Sequence, residues 1–268
     1  MIEFLMKAGP AFMIPLLLLS ITSWAFIFER FYRYRKVPKD KGAQEFFDQA
    51  SRVLKEKGRE ALEEHLALNK GILNIVWGQL ITRLKLLIME KRTVQQMREE
   101  MQFDAESYSR DYLEQYLSGL NTISTLSPLV GLLGTIVGMI QAFEAIARQG
   151  AGDPQAVAGG INTALITTAA GLVIAIPSIL GYNYFRRRVE QILKGLEPFT
   201  HLYINDLIQE IGRPAVYRDF VEQVYHDNVV TQAEMDGLKL KQAELRLPDK
   251  TARKVEESVK AANGIKHA

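Results

Sequence analysis

Apolar and polar positions along this chain are sorted into blocks. Residues 8–28, 115–143 and 154–185 contain no charged side chain, although 24% of the whole chain is charged. The second block becomes continuously apolar near Ile123 and the third near Ile161. A helix crossing a bilayer needs about 20 apolar residues, and each block supplies them. Such a segment must satisfy its own backbone hydrogen bonds, so helices are the predicted form. The first block is longer than the apolar run of a secretory signal. It is followed by Arg30, Arg33, Arg35 and Lys36, which predicts a retained anchor.

Between the blocks the periodicity is helical. Leu54, Leu62 and Leu66, then Leu80, Leu84, Leu87 and Ile88, recur at helical spacing among charges. No glycine or proline interrupts residues 93–117, which predicts a rod continuing into the second membrane helix. Val189, Ile192, Leu193 and Leu196 extend the third block in the same way, with Pro198 a possible kink, and Gly212-Arg213-Pro214 predicts its end. The tail from Ala215 reads as a small separate unit of short helices. Thr231 and Glu234 fit a capping box, and Asp249 fits a cap for the last helix. The expected fold is therefore an all-α integral membrane protein with three transmembrane helices and long cytoplasmic helical extensions. The predicted segments are 1–28 (outer end and first membrane helix), 29–114 (cytoplasmic helices) and 115–147 (second membrane helix). They continue as 148–158 (short outer loop), 159–185 (third membrane helix), 186–212 (cytoplasmic helix) and 213–268 (helical tail).

Charge sets the orientation. Basic residues crowd the inner flank of the first block and, as Arg186, Arg187 and Arg188, of the third. The link between the second and third blocks has only Arg148. By the positive-inside rule the N-terminus and the 148–158 link lie outside, and 29–114 and the tail lie inside. Trp24, Tyr32, Tyr34, Tyr182 and Tyr184 stand where interfacial aromatics belong. The net charge of +2 makes no case for nucleic-acid binding. With no cysteine, disulfides and thiolate metal sites are excluded. His65, His201, His226 and His267 are scattered and no catalytic or phosphate-loop motif appears, so neither an enzyme nor a cofactor is predicted.

Two membrane segments have an unusual composition. Ser127, Gly131, Gly134, Thr135, Gly138 and Ala142 recur at intervals of three and four on one face; Gly160, Ala164, Thr167, Thr168, Gly171 and Ala175 do the same on another. Small residues let helix backbones approach closely where lipid provides no hydrophobic drive. Tight packing within one chain explains part of this. Two such faces also suit a ring of subunits with a narrow inner wall. Thr135, Thr163, Thr167 and Thr168, with Asn162, read as a polar lining, although any single threonine more often bonds its own helix. Pro177 reads as a kink in the third helix, and Asp153-Pro154 as the turn before it. None of the three spans has an ionisable residue in its core, and such residues mark ion paths. If the chain conducts, a partner must bring the titrating group.

Two motifs then point to a family. Ser127-Pro128-Leu129-Val130-Gly131-Leu132-Leu133-Gly134-Thr135-Ile136-Val137-Gly138-Met139-Ile140 resembles the second-helix motif of the ExbB/TolQ family, relatives of the flagellar stator protein MotA. Gly159-Gly160-Ile161-Asn162-Thr163-Ala164-Leu165-Ile166-Thr167-Thr168-Ala169-Ala170-Gly171-Leu172, closing with Ala175-Ile176-Pro177, resembles the third-helix motif. The likeness is specific over 123–185 and nearer to ExbB than to TolQ. It implies a pentameric ring in the bacterial inner membrane, N-terminus periplasmic and C-terminus cytoplasmic. The ring would surround ExbD-like single-pass subunits that carry a membrane aspartate, and ion flow past them would drive TonB-like proteins. A TolQ-like role in envelope integrity is the alternative, and a non-conducting membrane scaffold is another. The resemblance makes Thr135 and Thr168 pore-facing. The chain departs from the pattern at Thr163, where many relatives have glutamate; a neutral lining leaves the partner aspartate to carry the ion alone and makes Na⁺ conceivable beside H⁺.

Overall fold

The computed structural model describes residues 10–38, 40–68, 71–149, 154–226 and 230–262. Among these the regular elements are all helical: α1 (Pro10–Arg35), α2 (Asp40–Lys57), α3 (Arg59–Ala67), α4 (Ile72–Met89), α5 (Val94–Glu114), α6 (Leu117–Gln149) and α7 (Pro154–Leu207). A π-helical turn, Ile208–Gly212, joins α7 to α8 (Arg213–Val224), and α9 (Gln232–Glu244) and α10 (Asp249–Ala262) follow. Two compact units result. Unit 1 is Met1–Val37 with Leu113–Ile192, and unit 2 is Pro38–Tyr112 with Leu193–Ala268. Residues 150–153 of the predicted 148–158 link, including Asp153 of the predicted turn, lie outside the described residues; 148–149 belong to α6 and 154–158 to α7.

Unit 1 contains α1, α6 and the first part of α7. On α1, Met13 and Leu16 pack with Ile166, and Val130, Ala170 and Ile174 close the cluster. Ser23 and Ser178 share a buried hydrogen bond of 2.7 Å. Phe26 lies against Gly119, where an added Cβ would come within 2.8 Å of the ring.

The expected unbroken rod through 93–117 is interrupted. Helix α5 ends at Glu114 and α6 starts at Leu117, with Tyr116 in the left-handed region at φ 67°. The sequence lacks a breaker because the break is held by side chains of α1. Its freed Leu113 carbonyl accepts from Arg30 Nη1 at 3.0 Å and from the Tyr34 hydroxyl at 2.6 Å. Tyr116 stacks on Phe26 at 5.4 Å, and the Arg30 guanidinium lies 5.3 Å from its ring centre. Arg30 is wholly buried and is paired with Glu29.

Unit 2 is built around Trp77 of α4, which is fully buried, stacks on Tyr203 at 4.1 Å and also meets Phe46 and Phe47 of α2. Four described helices, not three, are long and apolar enough to cross a membrane: Ala11–Arg35, Ile72–Met89, Leu117–Glu144 and a run within Ala158–Val224. The additional one is α4. Ile72, Val76, Trp77, Leu80, Ile81, Leu84 and Leu87 are buried in unit 2, while Leu86 and Met89 are exposed. Its charges are engaged with neighbouring helices: Arg83 bonds Asp104 at 2.7 Å and Glu100 at 2.9 Å, and Lys85 meets Glu63 at 2.7 Å.

Helix boundaries follow local chemistry. Thr93 and Gln96 form reciprocal hydrogen bonds at the start of α5, a cap that the sequence reading passed over. The predicted Thr231–Glu234 capping box is present. Asp249 is the first residue of α10 rather than its cap, and accepts from Gln242 at 2.7 Å. Gly212-Arg213-Pro214 does not stop the helical path. Gly212 keeps helical dihedrals, the Arg213 N–H reaches back to Ile208, and Pro214 lies in the first turn of α8, where its missing donor is tolerated. The tail has its own apolar cluster of Tyr217, Val221, Leu238, Leu247 and Val255, and Val94 of α5 packs on it. Those residues belong to the same compact unit as 38–112.

Candidate functional site: the α6–α7 helix pair

Each glycine of α6 that the sequence singled out meets α7 without space for a side chain. A Cβ on Gly131 would lie 2.9 Å from the Thr167 carbonyl oxygen and 3.0 Å from Thr168 Cα. One on Gly138 would lie 2.8 Å from the Gly160 carbonyl, and one on Gly171 would lie 2.5 Å from the Ser127 carbonyl. The pairings 142 with 160, 138 with 160 and 164, 134 with 167, and 127 with 171 step in opposite directions along the two helices. The contact is antiparallel and nearly backbone to backbone. Gly131, Gly134, Gly138 and Gly171 are all buried in it.

The predicted lining residues divide into three kinds. Thr167 is fully buried and bonds back to Ala164 at 2.8 Å and Thr163 at 3.2 Å. Its Oγ1 and Cβ occupy the space that Gly134 leaves open, so within the protomer it is part of the packing. Thr135, Thr163 and Thr168 are half-buried, at the margins of the contact. Asn162 is exposed. Helix α7 continues through Pro177, and Ser178 donates to the Ile174 carbonyl at 2.7 Å beside it.

The hydroxyl geometry determines what these groups offer. Thr135 donates its proton to the Leu132 carbonyl at 2.6 Å. Thr168 donates to the Gly131 carbonyl of the neighbouring helix at 3.3 Å. A hydroxyl has one proton and two lone pairs, so each oxygen is left as an acceptor. Two acceptors in a wall without charge match a protonated carboxyl group, or a cation, better than a carboxylate anion. The same two helices carry apolar side chains outward, among them Leu129, Leu133, Ile136, Ile140, Leu165, Val173, Ile176 and Leu180. Such faces belong in lipid or against further helices.

Sequence reasoning missed Arg30 as a structural residue. Its position among the basic residues following the first apolar block suggested orientation only, whereas its guanidinium is buried against Leu113, Tyr34 and Tyr116. The available signal was Arg30 lying one helical turn before Tyr34, with Phe26 one turn earlier on the same face.

Comparison with known proteins agrees with the helix motifs. The sequence pattern of the MotA/TolQ/ExbB proton channel family matches residues 55–197. The biopolymer transport protein exbB1 of Vibrio cholerae is 29% identical over 196 residues, covering 71% of this chain and 81% of that protein. ExbB of Neisseria gonorrhoeae is 38% identical over 85 residues, 32% of this chain and 39% of its own length. TolQ of the Tol-Pal system of Pseudomonas aeruginosa is 40% identical over 89 residues, 33% of this chain and 38% of its own. The match thus spans about two fifths of the gonococcal and pseudomonad relatives and four fifths of the one from Vibrio.

Proposed function

Because the chain belongs to the MotA/TolQ/ExbB proton channel family, we propose that it is the ring subunit of an ion-driven motor in a bacterial inner membrane. In this reading it is ExbB-like, forms a pentamer, and works with an ExbD-like single-pass subunit whose membrane helix carries an aspartate. The work is delivered to a TonB-like protein serving outer-membrane transport. Helix α1 and the apolar parts of α6 and α7 span the bilayer, with the N-terminus periplasmic and the C-terminus cytoplasmic. Helix α4 stays in unit 2, where its apolar face is already covered and its arginine and lysine are paired.

The observation that carries this reading is the neutral acceptor pair at Thr135 and Thr168. A lone carboxyl group in such surroundings loses solvation, which favours its protonated form. That form has one O–H to donate, and the threonine oxygens are free to accept it. Loss of the proton leaves an anion that these acceptors do not stabilise, so the partner helix is driven to move on. Asn162 and Thr163 extend the polar lining towards the outer end, with Thr167 packed behind it. The family resemblance places glutamate at the Thr163 position in many relatives. With threonine there, no second carboxylate competes for the proton.

The test is co-reconstitution with the partner subunit in vesicles, reading proton uptake under an imposed gradient. Thr135→Ala and Thr168→Ala should each abolish flux while the complex still assembles. Absence of gradient-driven flux in the parent complex would identify a non-conducting scaffold, and flux equal to the parent in both variants would remove the two threonines from the ion path. Flux that follows a sodium gradient and ignores pH would replace H⁺ by Na⁺ as the coupling ion. The similarity to the pseudomonad TolQ favours one other reading, a motor serving envelope integrity. Deletion in the native cell separates the two. Lost siderophore uptake with normal detergent resistance supports the ExbB-like role, and the reverse supports the TolQ-like one.

A further inference from the structure

Unit 2 brings the chain segments that carry Arg98, Arg213 and Arg246 into contact. Arg213, first residue of α8, donates Nη1 to the Leu245 carbonyl at 3.2 Å, at the C-terminal end of α9. Arg246 comes next in the chain, in left-handed backbone at φ 50°. On the other side of Arg213, Gly212 lies against Met97, whose sulfur is 3.6 Å from the Gly212 Cβ position, and Arg98 follows Met97. Burial, and then the like charges of Arg98 and Arg246, hold the Arg213 guanidinium below the usual arginine range. Among the described residues, none of the three forms an ion pair. Glu100 is engaged with Arg83 and Arg92, and Glu244 with Lys241, while Glu210, three residues before Arg213, forms no ion pair with it. Arg98 Nε is buried and has no acceptor.

A helix C-terminus attracts a cation, which accounts for Arg213 by itself. It does not account for Arg98 and Arg246 beside it, nor for a buried N–H left unbonded. Arginine remains charged at any physiological pH, so proton loss cannot relieve the repulsion. An anion with several acceptor oxygens would, and guanidinium forks match phosphate in particular. Arg98 and Arg213 are half-buried and Arg246 is exposed, so a solvent-borne anion can reach Arg246. Arg213 and Arg246 both lie beyond the residues matched by the family pattern.

We propose that Arg98, Arg213 and Arg246 form a binding site for a phosphate group, borne either by a soluble phosphate compound or by a lipid headgroup. The site is independent of the ion path and would tie the state of unit 2 to phosphate supply or to membrane composition. The full chain in phosphatidylcholine nanodiscs is titrated with inorganic phosphate and with pyrophosphate by calorimetry. A second preparation, in nanodiscs containing phosphatidylglycerol, is delipidated and examined by native mass spectrometry for retained lipid. Saturable pyrophosphate or phosphate binding assigns a soluble ligand, and retained phosphatidylglycerol assigns the lipid. In either case Arg246→Gln, at an exposed position, should weaken binding by roughly tenfold, the scale of one charge-assisted hydrogen bond. Arg213→Gln should act in the same direction, and Arg253→Gln, exposed on α10, should have no effect. Absence of binding to every probe, or binding unaltered by Arg246→Gln and Arg213→Gln, overturns the proposal. Thermal unfolding of each variant without ligand separates a lost site from a lost fold.

Discussion

The Thr168 hydroxyl reaches across the α6–α7 contact to the Gly131 carbonyl, 3.3 Å away. That bond is possible because Gly131 has no side chain and the backbones almost touch. It links the packing of the helix pair to the polarity of its margin. One residue thus serves both structure and the proposed ion path, and substitutions there separate the two roles.

Thr168→Ala removes the hydroxyl and should cost about 0.5–1.5 kcal/mol of stability. Its effect on flux in co-reconstituted vesicles should be far larger, a near-complete loss. Thr168→Ser retains the hydroxyl and should retain most of the flux. Equal flux in Thr168→Ala and Thr168→Ser would show that the oxygen is irrelevant.

Gly131→Ala and Gly171→Ala force backbone apart, because the new Cβ meets carbonyl oxygens that cannot rotate away. Each should destabilise by about 1–3 kcal/mol, as overpacking does. Gly159 lies in the same helix as Gly171 with nothing within 4 Å of its Cβ position. Gly159→Ala should therefore be neutral or stabilise by about 0.5–1 kcal/mol, from helix propensity alone. Thermal unfolding in detergent ranks the three variants.

Tyr34→Phe deletes one of two donors to the Leu113 carbonyl and should cost about 0.5–1.5 kcal/mol. Arg30→Met should cost more, since it also leaves Glu29 with one cation fewer and removes the cation above Tyr116. Hydrogen exchange around residues 113–117 should rise in both. Unchanged exchange would mean that the helix break needs no support from α1.

Trp77 is enclosed by Phe46, Phe47 and Tyr203. Trp77→Ala should destabilise unit 2 by about 3–5 kcal/mol, in the range of large aromatic truncations. Trp77→Phe should recover most of that loss. Denaturant titration followed by circular dichroism provides the measure.

Thr231→Ala removes one half of the capping box at the start of α9 and should cost about 1 kcal/mol. The same measurement on Thr93→Ala tests the second box, at α5, where Thr93 and Gln96 bond reciprocally.

What was legible in the sequence was whatever depends on local composition. Apolar block length marked α1, α6 and α7 as membrane-length helices, and the glycine spacing of 131, 134 and 138 marked a face that packs. The Thr231-x-x-Glu234 spacing was sufficient for the cap, because that interaction closes within one turn. Tertiary structure decided the rest. Tyr116 adopts a left-handed backbone because Arg30 and Tyr34, about 80 residues earlier, capture the carbonyl that the break frees. Apolar composition alone qualifies α4 as a membrane span, but Trp77, Leu80 and Leu84 are already buried against neighbours in unit 2. Arg98, Arg213 and Arg246 look like scattered surface charge until folding brings the segments that carry them into contact. Periodicity encodes which face of a helix is apolar; what covers that face depends on contacts between residues distant in the chain.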